Sequence, residues 1–202
     1  MAVSGRRNGM IEDDENDIED GLLEESGIVD SDIPAHLLPL ASAAESGDLQ
    51  ALRLALDNLE GSIDEPLEDG DTALHLTCLY GHVACVQLLL ERGASVLAKD
   101  EDGAIPLHDA CASGCIEIVQ LLLSRATSPE ILREMLDTLD EEADTPLHHA
   151  ARGEHINVVR LLLAHGASPL KKNIYDKTPG DLAEPGTEAK LVLEAATSNV
   201  AC

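Results

Sequence analysis

Tryptophan and phenylalanine are missing from the 202 residues, and tyrosine occurs twice, at Tyr80 and Tyr175. So few rings exclude the stacking platforms that bind single-stranded nucleic acid and the aromatic belts of membrane proteins. Positive charge is almost as scarce. Thirteen Lys and Arg stand against 39 Asp and Glu, a net charge of −26. Phosphate backbones and anionic headgroups repel such a chain, so neither direct nucleic-acid binding nor membrane association is expected. Long apolar runs are lacking too: Leu88 to Leu90 is a triplet, far short of the roughly 18 residues that suggest a span. No apolar stretch follows Arg6 and Arg7, as an export signal would require. Ala2 and the terminal Cys202 fit neither common lipidation pattern. Five cysteines without an export signal imply reduced thiols and a cytoplasmic location, the nucleus included.

What is present is aliphatic. Hydrophobic residues make up 44% of the chain, mostly Leu, Ala, Val and Ile, which suits closely packed helices with Ala at their contacts. The charge is uneven. Residues 1–32 hold eleven acids and two arginines, a net of −9, without a helical or strand period. They read as a disordered acidic tail, punctuated by Ile18, Leu22, Leu23, Ile28 and Val29.

A repeat organises the remainder. Thr72-Ala73-Leu74-His75 returns as Ile105-Pro106-Leu107-His108 and as Thr145-Pro146-Leu147-His148, at spacings of 33 and 40. The triplets Leu88–Leu90, Leu121–Leu123 and Leu161–Leu163 keep the same spacings. Gly93-Ala94-Ser95 and Gly166-Ala167-Ser168 follow two of them, and Thr178-Pro179 lies 33 residues after Thr145. Over roughly residues 33 to 196 these markers resemble the ankyrin repeat family. The wording of Asp69-Gly70-Asp71 through Cys78 is similar to that of small plant ankyrin-repeat proteins.

The expected fold is an all-α repeat solenoid of helix-turn-helix units joined by short hairpin-like turns. The units span about 33–66, 67–99, 100–139, 140–172 and a degenerate closing cap at 173–199. In the typical unit, Thr opens a short first helix with Pro in its first turn, where no N–H is needed. Gly81 or Gly114 ends that helix, and a second helix follows over Val83–Glu91 or Ile116–Ser124. One such pair cannot bury its own apolar face, so neighbours stack into one core. A weaker first unit, Leu40 to Leu56, lacks the Thr and His. In the cap, Gly180 and Asp181 replace the Leu-His pair, and Glu188–Ala195 reads as a polar closing helix.

Four departures carry expectations of their own. Ala143 stands where other turns have Gly, which predicts a different turn. Glu154 stands where Gly81 and Gly114 end their helices. Ile105 replaces the capping Thr, at a cost of roughly 1 kcal/mol. A seven-residue insertion, Ser128 to Leu136 in its surroundings, predicts an extra helical turn or two at the outer edge of the stack.

Catalysis is not expected. Three histidines at one repeat position suggest a metal site or a general base, yet neighbouring repeats lie about 10 Å apart, too far to share one zinc. The family resemblance instead gives His75, His108 and His148 a structural role beside Thr72 and Thr145. Cys78 and Cys111, 33 residues apart, read as small core residues, and Cys111 and Cys115 have no second pair at usable spacing. Phosphate loops and nucleophile elbows are absent from the sequence, so no cofactor is expected.

Function therefore moves to the surface. The resemblance implies a non-enzymatic, monomeric module that binds a protein partner through turn tips and the exposed side of the first helices. Carried onto this chain, the tips are Glu68, Asp69 and Asp71, then Glu101 and Asp102, then Glu141, Glu142 and Asp144. The last tip breaks the pattern with Ile174, Tyr175 and Lys177 after Lys171 and Lys172. The helix positions are Leu79 and Tyr80, Ala112 and Ser113, and Arg152 with Gly153, joined by Asp109 and His149 on the concave side. Successive acids suit a basic protein segment, with Tyr80 as anchor. Two other readings stay open: the tail acts as a chaperone for a basic protein, or the chain holds a subunit before its complex assembles.

Overall fold

The computed structural model describes residues 33–200, with side chains as far as Ser198. The acidic tail at 1–32 lies outside the described residues. Among those residues there are eleven α-helices and no strand: α1 (Leu38–Ser46), α2 (Leu49–Asp57), α3 (Ala73–Leu79), α4 (Val83–Glu91), α5 (Pro106–Ser113), α6 (Ile116–Leu123), α7 (Pro129–Asp137), α8 (Pro146–Arg152), α9 (Ile156–Ala164), α10 (Pro179–Leu182) and α11 (Glu188–Val200). Two layers result. The first helices stack in the order α1, α3, α5, α8, α10, and the second helices in the order α2, α4, α6, α9, α11.

The sequence builds the core between these layers one unit at a time. Leu40, Leu74, Leu107 and Leu147 recur at one position of the first helices, and Leu89, Leu122 and Leu162 at one position of the second; all are buried. Each such leucine contributes about 1.5–3 kcal/mol by leaving water. Ala73, Cys78, Ala110, Cys111, Ala150 and Ala151 are fully buried at the helix contacts. Their small side chains allow the close approach that aromatic rings would block.

Histidines fasten one layer to the next. The Thr72 backbone N–H donates to Nδ1 of His75 at 3.1 Å, with the Thr72 hydroxyl 2.9 Å from the same nitrogen. That fixes the proton on Nε2, which donates to the Ala104 carbonyl of the following turn at 3.3 Å. His108 repeats this with Ile105 N–H and the Asp144 carbonyl, and His148 with Thr145 and the Lys177 carbonyl. Ile105 thus loses the hydroxyl but keeps the backbone bond, at 3.0 Å. A second pair runs backwards: His82 Nε2 meets the Glu45 carbonyl at 2.8 Å, and His155 Nε2 meets the Ala112 carbonyl at 2.9 Å. A Cβ at Gly47 or Gly114 would overlap these rings, so glycine is required there by packing as well as by its positive φ.

Three expectations need correction. The turn at Ala143 does not differ. Ala143 takes φ +57°, in the same left-handed region as Gly70 and Gly103, and Asp140 N–H donates to the Asp144 carbonyl as Asp100 N–H does to Ala104. Surrounding bonds override the residue's own preference, and Glu154 likewise takes φ +56° at its helix end. We predict that Ala143→Gly stabilises the protein by about 1 kcal/mol, read as a higher midpoint in urea at unchanged slope. The insertion forms the nine-residue helix α7 rather than one or two turns. Ser128 caps it by accepting from Ile131 N–H at 3.3 Å, and Met135 and Leu136 bury its apolar side. In the cap, α10 has only four residues, while α11 runs on past Ala195 to Val200.

Candidate protein-binding surface

The turns that carry the acidic tips are built by side chains the sequence reading passed over. Asp100 accepts from Ala104 N–H at 2.8 Å, Asp140 from Asp144 N–H at 2.8 Å, and Asn173 from Lys177 N–H at 3.0 Å. Their spacings, 40 and 33, match the repeat period and were a signal available in the sequence. Two pairs of neighbouring turns are also bonded directly, through Glu101 N–H to Asp69 and Ile174 N–H to Glu142. Acids at the tips are therefore held on a fixed backbone rather than on loose loops.

The tip acids divide by exposure. Glu68, Asp69, Glu101, Asp102 and Glu141 are exposed, and Asp71 and Glu142 are partly buried. Asp144 is not a tip contact. It is 0% exposed, held between Arg152 and the Asn173 amide at 2.8 Å. The repeat places it one residue before the helix-starting Thr, where the chain turns inward, so acidity there was no sign of exposure. Arg152 also reaches Glu142 at 3.6 Å, which engages it within the fold.

On the first helices, Leu79 and Tyr80 are 42% and 54% exposed, and the Tyr80 ring stacks on His82 with centroids 6.1 Å apart. Ser113 is partly buried and bonds back to the Ala110 carbonyl. Tyr175 is exposed, and its hydroxyl donates to Glu142 at 3.2 Å. His149 Nε2 pairs with the Asp140 carboxylate at 2.7 Å and meets His108 edge to face.

Asp109 stands apart. It occupies the position that Leu76 holds in the preceding unit and His149 in the following one. Its Oδ2 is buried and has no hydrogen-bond partner among the described residues. Burial, then the charges of Asp71 and Asp100, push its carboxyl up to about 8. Burial and the Asp100 charge raise Asp71 to about 6. The histidine fasteners go the other way: burial lowers His75 and His108 to about 4 and lowers His148 as well. The Cys78 and Cys111 thiols, fully buried, are pushed far up, which suits core packing and not reactivity.

Residues 40–132 and 102–176 match the family described as ankyrin repeats (3 copies). The chain belongs to the ankyrin repeat family. Ankyrin repeats are generally protein–protein interaction modules, typically without catalytic activity, and among the described residues no helix is long and apolar enough to cross a membrane. A probable E3 ubiquitin-protein ligase of Oryza sativa subsp. japonica, XBOS32, is 49% identical over 41 residues. That stretch covers 20% of this ankyrin-repeat chain and 8% of the rice protein.

Proposed function

We propose that this ankyrin-repeat chain is a non-enzymatic adaptor, working in the cytoplasm and nucleus, that receives a basic segment of a partner protein. One observation carries the reading. Glu68, Asp69, Glu101, Asp102 and Glu141 are exposed on successive turns, and Leu79 at the end of α3 and Tyr80 just after it are exposed as well. Acids at a rim act mainly on encounter and orientation, and an exposed aromatic such as Tyr80 supplies contact area. The 41-residue likeness to a ligase brings no ligase activity, because it covers only a small part of that protein.

Reversing Glu101, Asp102, Glu141 and Glu142 to Lys is expected to weaken capture of the dominant partner by about tenfold or more, and raised salt to release it from the unaltered protein. Deleting residues 1–32 is expected to leave capture intact. Loss on tail deletion, with the reversed tips still binding, would favour the tail-chaperone reading instead.

A further inference from the structure

Asp109 of α5 is partly buried, and its Oδ2 has no hydrogen-bond partner among the described residues. His75 cannot supply one, since its Nδ1 accepts from Thr72 and its Nε2–H is directed at Ala104. Carboxylate oxygens of Asp71 and Asp109 lie within 4.8 Å of each other. From the other packed elements, Asp100 bears on the pair from the turn before α5, and the buried thiols of Cys78 on α3 and Cys111 on α5 stay neutral. Asp69 and Asp102 bear on Asp71 from the tips. His149 and Arg152 of α8 are directed at Asp140 and at Asp144, and Glu117 of α6 is exposed and bonded to Cys115. His108 is bonded at both nitrogens. An anion on each of two close carboxyls, one with a buried and unpartnered oxygen, is costly, so the pair retains a proton.

We propose that Asp71 and Asp109 hold one proton between them at neutral pH, and that a cationic side chain of the partner displaces it. This rests on the acidic face being the receptor. The incoming ammonium or guanidinium offers N–H donors to the pair, both of whose residues are partly exposed; the proton leaves from the carboxyl to solvent, and the pair becomes doubly anionic against the new cation. Capture then tightens as pH rises, because fewer protons must be displaced. The upward shift of both carboxyls agrees with this order of events.

Hexa-arginine is the probe, with the full chain at constant ionic strength. Its affinity is expected to rise about tenfold between pH 7 and pH 9 for the unaltered protein and less than twofold for Asp109→Asn. Equal pH dependence in the two proteins, or none in the unaltered one, overturns the proposal. Carbon-13 NMR of the Asp109 carboxyl gives an independent reading: a midpoint above pH 7 supports the retained proton, and one below pH 5 overturns it. Failure of hexa-arginine to bind either protein overturns the displacement step together with the acidic-face reading, whereas binding with an already ionised Asp109 overturns the proton alone.

Discussion

Asp109→Asn is expected to stabilise the protein, by an amount that grows with pH. An ordinary aspartate has its midpoint near 3.8, and Asp109 in the fold is raised to about 8. A raised folded value contributes stability that is complete below the unfolded midpoint and is lost as pH rises through the folded one. Between these limits the folded chain keeps a proton that the unfolded chain releases, so each pH unit costs roughly 1.4 kcal/mol. Asparagine keeps the shape and carries no charge to bury. The gain is therefore small at pH 4, reaches about 5 kcal/mol by pH 8, and levels off above it. Urea denaturation of both proteins from pH 5 to pH 9 measures it; a gain independent of pH would show that Asp109 ionises freely in the fold. Asp109→Leu is a second form of the test, since Leu76 is buried at the same repeat position.

His75→Ala is expected to act in the opposite direction, costing about 3–5 kcal/mol. It strips the Thr72 N–H and the Ala104 carbonyl of their partner and leaves a cavity between two layers. Its pH signature is separate. His75 and His108 sit near 4 in the fold against an ordinary 6.5. Folded values depressed in this way give stability that is present above 6.5 and lost as pH falls from 6.5 to about 4. Each of the two histidines accounts for on the order of 3 kcal/mol of that acid loss. The unaltered protein should thus be most stable near pH 6.5, where the histidine loss on the acid side meets the Asp109 loss on the alkaline side. In His75→Ala the acid arm should be shallower by one proton. An acid arm of unchanged slope would mean that His75 is not buried in its neutral form.

Much of this was legible because the repeat states the same physics several times. Thr, Pro, Leu and His at fixed offsets identify the first helices, and Leu triplets in step with them identify the second. Identity gave no such help where context outweighs the residue. Ala143 and Glu154 hold a glycine-like backbone because the bonds around them close the same turn and helix end. The turn-capping column of Asp100, Asp140 and Asn173 was obscured because the unit before it has Leu67 there. Asp144 read as one more tip acid, while its burial depends on Arg152 and Asn173, contributed by a later part of its own unit and by the next. The acidic face was visible as a composition of tips; that Asp109 Oδ2 has no partner among the described residues could only be known once the neighbouring helices were placed around it.

The forward histidine bonds also give the array a mechanical polarity. Units 2, 3 and 4 each reach the next turn through a buried or part-buried ring. Unit 1 has no such histidine and is tied to unit 2 by the backward bond from His82, by Ser95 N–H donating to Asp64 at 2.8 Å and by an exposed Arg92–Asp57 pair. Under tension applied at both ends, unit 1 therefore peels away first, and the acid-bearing turns of units 2 to 4 remain a rigid bracket after the chain leading into them has yielded.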